Sequence, residues 1–247
     1  MDGFDFEFTT TSFFFLDAVD VMAPRETVVI CALGDSITDG TASTLNINDR
    51  WSNTLSRRLH AAYGNRVSVV NAGIAGNRVL TGGPIIGPAA IDRLDRDVLS
   101  LSGLTDVIWL QGIGDIQNTG ATPDAVVAGY ANVVGRVRAQ GVKIHGGTLM
   151  SALNPTLTGP ALAINQANDA KRREVNDFIR NGGLYDGVID FDAATNDPET
   201  GAMQAKFLPS STFAAPPDYG HPNHAGYIAM GLEVDLRPFA PPSKKGR

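Results

Sequence analysis

The chain has 247 residues, 43% of them hydrophobic and 19% charged, which suits one sizeable α/β domain with a buried core and excludes a disordered or low-complexity chain. A net charge of −6 argues against nucleic acid or an anionic membrane surface as partner, and no run reaches the roughly 18 consecutive apolar residues of a membrane span. The single cysteine, Cys31, excludes an intramolecular disulfide framework and leaves the compartment unassigned.

The chain opens on Met1-Asp2-Gly3-Phe4-Asp5-Phe6-Glu7-Phe8, which alternates Phe with small or acidic residues, the period-2 pattern of a strand with one buried face. This start is acidic and lacks the basic region of a signal peptide. Phe13-Phe14-Phe15-Leu16, then Val19 and Val21, extends the pattern, so residues 1–24 are expected to form a short β appendage ahead of a main domain over 25–247. A hairpin this apolar needs cover. The main domain, a second copy of the chain in a homo-oligomer, or a larger β module could each supply it.

From Pro24 onward strands and helices alternate. Strands are expected at 28–33, 67–71, 106–110, 143–147 and 187–190, and helices at 49–63, 89–99, 123–140, 163–181 and 222–236. In the 123–140 helix, Thr122 can cap, Pro123 takes the first helical position, Gly141 ends it, and Val126, Val127, Tyr130, Val133, Val134 and Val137 form one apolar stripe. Strands joined by helices imply right-handed crossovers and a parallel sheet covered on both faces. The expected fold is a three-layer α/β/α sandwich with a flavodoxin-like five-stranded sheet. Segments 81–88 and 208–217, rich in Gly, Pro and Ser, should be loops at the rim of its site.

The first strand ends in Gly34-Asp35-Ser36, which delivers a serine to the carboxyl edge of the sheet, where open α/β sheets bind ligands. Serine is a poor nucleophile unless a base takes its proton and a third group orients that base. Asp218-Tyr219-Gly220-His221 supplies both in one tight turn, with Pro222 and Asn223 expected to open the last helix. Taken singly, such a serine is most often a helix cap and an Asp-x-x-His a surface turn; their arrival at one sheet edge gives the pair its weight. Two glycine turns follow the second and third strands, Asn71-Ala72-Gly73-Ile74-Ala75-Gly76-Asn77 and Gln111-Gly112-Ile113-Gly114-Asp115-Ile116-Gln117-Asn118. Either can be an ordinary strand-to-helix turn or a source of N–H donors for an oxyanion.

In these blocks the sequence resembles the GDSL esterases, also called SGNH hydrolases, over about residues 28–233. Gly34-Asp35-Ser36 matches the first block, Gly76 of Ile74-Ala75-Gly76-Asn77 the second, and Asp218 with His221 the last. The resemblance implies Ser36 as nucleophile, His221 as base, Asp218 as its orienting acid, and Ser36 and Gly76 as oxyanion donors. It also implies short acyl esters, including acetylated sugars, as substrates, and no cofactor. Ser36 lies near the start of the chain and outside a Gly-x-Ser-x-Gly elbow, which separates it from the common α/β-hydrolases.

The third block departs from the family. Its pattern is Gly-x-Asn-Asp, and this chain reads Gly112-Ile113-Gly114-Asp115. Gly114 therefore stands at the oxyanion-hole position of an asparagine. Losing one such donor costs about a hundred- to a thousandfold in kcat, roughly 2.7–4 kcal/mol. An engineered change, natural divergence, and replacement of the donor by Asn77, Asn118 or Gln111 all remain open from the residues alone.

Asp35, Asn77 and Asp115 adjoin the blocks and are the candidate substrate-contacting residues, the two acids being better suited to holding loops than to acid chemistry. His221 and His224 have a spacing found in metal sites, but no further His or Cys cluster joins them, so no metal is expected. Trp51 and Trp109 fall on predicted elements and should be core; His60 and His145 have no evident partner. Two rival functions come from other classes. One is a binding protein that kept the fold and lost turnover at Gly114. The other is a flavin-type phosphate cradle at residues 36–44, which would leave Asp218 and His221 unexplained.

Overall fold

The computed structural model describes residues 18–44, 46–209 and 218–242. Its centre is β1 (Val28–Gly34), whose β-branched and apolar side chains are buried almost throughout because the sheet is covered on both faces. Parallel to it run β2 (Val67–Gly73) on one side and β3 (Leu104–Leu110) on the other, followed by β4 (Lys143–Gly147) and β5 (Gly187–Ile189). The order β2-β1-β3-β4-β5 is the doubly wound, flavodoxin-like arrangement expected. All five strands form within two residues of their predicted limits.

Eight α-helices complete the described domain: α1 (Ser36–Asp39), α2 (Trp51–Tyr63), α3 (Ala90–Leu94), α4 (Ile113–Thr119), α5 (Pro123–Ala139), α6 (Gly159–Asn181), α7 (Phe191–Thr195) and α8 (His224–Glu233). α2, α7 and α8 pack together, while α5 packs against α3 and α6. The α5 signals act as read: Thr122 Oγ1 accepts from Ala125 N at 3.3 Å, Pro123 sits in the first turn, and Gly141 adopts φ +73°. The predicted 89–99 helix is α3 continued by a π-helical turn, Asp95–Leu99. α6 begins at Gly159, earlier than expected, because Pro160 suits a first helical turn. α8 begins at His224 and not Pro222, because Asn223 is its cap, accepting from Gly226 N at 3.1 Å. The short α1, α4 and α7 have too few turns to show a period in sequence.

Trp51 and Trp109 are buried as expected, Trp51 against Phe191 and Trp109 edge-on to Tyr130. Cys31 lies wholly inside, and burial pushes its thiol up to about 12, so it behaves as a small apolar residue. Most of the predicted N-terminal appendage lies outside the described residues. Its described part, 18–24, carries no strand, and Val19, Val21 and Met22 are exposed.

One close approach sets the working end of β1. A Cβ on Gly34 would lie 2.2 Å from Thr38 Oγ1 and 2.5 Å from the carbonyl oxygen of Leu110. Only glycine lets α1 fold back onto the strand end while β3 stays paired. Because the obstacle includes backbone, Gly34→Ala is expected to destabilise by about 1–3 kcal/mol, read as a lower urea midpoint at unchanged m-value.

Candidate active site

Ser36 follows β1 by two residues and opens α1 at the switch point of the sheet, between strands that lead off in opposite directions. Its Oγ stands 2.7 Å from Nε2 of His221, 185 positions further along the chain. Nδ1 of His221 is 2.5 Å from Oδ2 of Asp218. Oδ1 of Asp218 accepts from the N–H groups of Gly220 at 2.7 Å and His221 at 3.2 Å, so the carboxylate is fixed by its own turn. Burial opposes ionisation of Asp218, but the hydrogen bond and charge of His221, with the two N–H donors, outweigh it and hold the carboxyl below its ordinary range. This line of hydroxyl, imidazole and carboxylate is the geometry a base-activated serine requires.

The turn carrying His221 is anchored behind the site. Asn223 donates through Nδ2 to the carbonyls of Lys206 and Leu208, and its N–H donates to Phe207 O at 2.7 Å. Tyr227 in α8 donates to Thr41 O at 2.7 Å, tying that helix to the turn after α1.

A cleft of about 310 Å³ joins the blocks, lined among others by Ser36, Gly76, Gly114, Asn118, Ala152 and His221. Gly76 has φ +75°, a left-handed conformation that suits glycine, and no described backbone group takes its N–H. Gly114 lies in the first turn of α4. The nearest neighbours of a Cβ there would be Arg78 Cγ at 3.4 Å, Asn77 O at 3.6 Å and Asn118 Nδ2 at 3.7 Å, ordinary van der Waals distances, so a Cβ is tolerated.

Of the expected substrate contacts, Asn77 borders the cleft, and the side-chain polar atoms of both Asn77 and Asp115 are engaged by the fold. Asn77 Nδ2 donates to the carbonyls of Ile86 and Pro88, and its Oδ1 accepts from Arg93 Nε at 2.9 Å and Gln111 Nε2 at 2.8 Å. Asp115, fully buried, accepts from Val79 N at 2.8 Å and Leu80 N at 3.0 Å, which clamps α4 to the second block. Gln111 Oε1 is held by Trp109 Nε1. Asp35 is buried next to Ser36; Oδ1 accepts from Ile37 N at 3.0 Å, while Oδ2 has no partner among the described residues. That Asp35 bond takes an N–H that a phosphate at the start of α1 would need, which disfavours the flavin-type cradle.

Sequence reasoning passed over Arg93. Its side chain is fully buried, with Nη2 donating to Gly34 O at 2.9 Å, Nη1 to Ala72 O at 2.8 Å and to Asp97 at 3.3 Å, and Nε to Asn77. An arginine between Ala90, Leu94 and Val98, on the inward stripe of a predicted helix, was the available signal. The other histidines have partners. His145 Nε2 is 3.0 Å from Asp106 Oδ1, His60 Nδ1 2.9 Å from Ser56 O, and His224 Nδ1 2.6 Å from Asp49 Oδ2. His221 and His224 thus serve separate carboxylates. Among the described residues no group of three or more His, Cys, Asp or Glu could hold a metal ion.

The fold and these blocks have counterparts in known proteins. The chain belongs to the GDSL-like lipase/acylhydrolase family, whose model matches residues 32–229, and so to the carboxylic ester hydrolases. Among solved structures it is similar to a carbohydrate acetylesterase family member from Sinorhizobium meliloti, with a TM-score of 0.63 and 16% identity over 86% of this chain and 96% of that one. It is also similar to the aryl esterase of M. smegmatis, with a TM-score of 0.61 and 15% identity over 86% and 99% of the respective chains. A member of the lipolytic G-D-S-L family from Veillonella parvula gives 0.59 and 18% over 84% and 96%. At such identities the likeness is one of fold. A search of curated proteins found no match.

Burial raises Asp35 to about 6, against the opposing pull of the Ile37 N–H and the His221 charge. A carboxyl whose folded pKa exceeds its unfolded value of 3.8 favours the folded state while protonated, and that advantage disappears as pH rises through the folded value. Asp35→Asn is therefore expected to match the parent in stability below about pH 4 and to exceed it by about 2–3 kcal/mol above pH 6–7. Thermal melts of both proteins from pH 4 to 8 check this.

Proposed function

We propose that the protein is a serine esterase acting on short acyl esters, with Ser36 as nucleophile, His221 as general base and acid, and Asp218 as the group that orients and stabilises the imidazole. The observation that carries this reading is the continuous hydrogen-bonded line from Ser36 Oγ through His221 to Asp218.

In this mechanism Ser36 Oγ adds to the ester carbonyl as its proton passes to Nε2 of His221. Asp218 stays ionised, accepts the Nδ1–H and stabilises the imidazolium, consistent with the lowered pKa of its carboxyl. The carbonyl oxygen becomes an oxyanion that the N–H groups of Ser36 and Gly76 receive. Collapse expels the alcohol, which takes its proton from Nε2, and leaves an acyl-enzyme on Ser36. Water then attacks with His221 again as base, and the carboxylic acid departs.

The cleft's modest volume favours an acetyl or similarly short acyl group. Ile86, from the rim loop, stands beside Gly76, with Cγ2 2.8 Å from where a Cβ on that glycine would be, and supplies an apolar wall near the oxyanion position. The family resemblance and the acetylesterase and aryl-esterase neighbours support acetylated carbohydrate or aryl esters as the substrate class. Residues 210–217 of the second predicted rim loop lie outside the described residues. Gly114 favours the alternative of a binding protein with impaired turnover, whereas an aligned hydroxyl, imidazole and carboxylate favours catalysis.

Hydrolysis of p-nitrophenyl acetate separates the two. Ser36→Ala and His221→Ala are expected to lower kcat by at least about a thousandfold at unchanged melting temperature. Equal rates in the parent and Ser36→Ala would instead assign the fold a binding role.

A further inference from the structure

The family's third block normally ends its oxyanion hole with an asparagine amide, and here position 114 has no side chain to give. We propose that Asn118, one helical turn further on, supplies that donor, its Nδ2–H reaching the oxyanion across the space that Gly114 leaves open. The inference rests on the serine-esterase reading and adds a catalytic residue to it.

Four observations lead to Asn118. Positions 114 and 118 are i and i+4 on α4 and so share one face, and helical side chains lean toward the N-terminus of their helix. That lean carries the Asn118 head group back over Gly114. Second, Nδ2 of Asn118 lies 3.7 Å from where a Cβ on Gly114 would be. The amide nitrogen of an asparagine at 114 would itself stand two bonds beyond that Cβ, so both nitrogens would lie within 4 Å of the same point. Third, Asn118 lines the cleft with Ser36, Gly76 and His221. Fourth, its rivals are disqualified. Both N–H bonds of the Asn77 amide go to backbone carbonyls, and Gln111 is buried, donates to Asn77 and does not line the cleft. The Asn118 amide, in contrast, makes no hydrogen bond among the described residues, so both of its N–H donors are available.

Glycine at 114 is then part of the device. It keeps clear the place into which the longer reach from 118 must extend. Asn118 forms no covalent bond in the cycle. It donates to the carbonyl oxygen as charge develops there during Ser36 addition, and loses that interaction's strength when the carbonyl re-forms.

A double-mutant cycle on p-nitrophenyl acetate hydrolysis tests the assignment, using the parent, Asn118→Ala, Gly114→Asn and the double variant. Asn118→Ala is expected to lower kcat by about a hundredfold with little change in KM. Gly114→Asn alone should change kcat only severalfold, since a donor is already present. In the double variant the new amide should restore most of the activity, so that removing Asn118 costs less than about threefold in the Gly114→Asn background. Alanine is the better helix former at this exposed position, so all four proteins should melt alike. The proposal is overturned if Asn118→Ala leaves kcat unchanged, or if the loss is equal in both backgrounds, as a structural role would give. Ser36→Ala in the same assay keeps the readings apart: activity that needs Ser36 but not Asn118 refutes only the donor, and activity indifferent to Ser36 refutes the esterase reading as well.

Discussion

The carboxyl ends of β1 and β2 must be held against the Gly76 turn without side chains filling the cleft between them, and the buried guanidinium of Arg93 meets that constraint. It donates to the last carbonyl of β1, to Ala72 in β2 and to Asn77 in the turn, with Asp97 as its counter-charge. Hydrogen bonds to a charged group contribute about 1.5–3 kcal/mol each, and losing the cation would leave several buried acceptors unpaired at once. The Ser36 turn and the Gly76 turn are therefore referenced to the same group. Gly34 makes the complementary contribution from the other side, by offering α1 no side chain to avoid.

Two carboxylates near the nucleophile show how environment divides roles among like residues. Asp218 accepts from the imidazole Nδ1–H and two backbone N–H groups and stays ionised, while Asp35 lies in the interior with one oxygen unpartnered among the described residues and its pKa raised to about 6. The first arrangement suits proton transfer. The second is a local cost in stability beside Ser36, of the kind expected near functional sites.

The third block carries the chain's individuality. Asp115 keeps its family position and clamps α4 to the segment after the second block, so the local scaffold is kept with glycine at 114. No side-chain amide stands at position 114 itself, and helical periodicity brings that of Asn118 from the next turn to the same cleft. A short helix rather than a loop at this position makes such a shift available, because it repeats a direction every turn.

Local order along the chain determined a good deal here. Apolar β-branched runs alternating with capped helical stripes specify a doubly wound parallel sheet, since strands buried on both faces and helices with one apolar face have few other ways to pack. Gly34-Asp35-Ser36 and Asp218-Tyr219-Gly220-His221 were legible because a strand-end serine and a tight acid-base turn are short-range patterns. Tertiary structure alone decided which polar groups face solvent and which are consumed inside. Asn77, Gln111 and Asp115 look like site residues in sequence, yet their partners come from up to 36 positions away and turn them inward. Arg93 and His145 looked unremarkable, because a residue's meaning there depends on what lies across the fold from it. Hydrogen-bond satisfaction is a property of the packed chain, and for these long-range pairs no short window of sequence contains both partners.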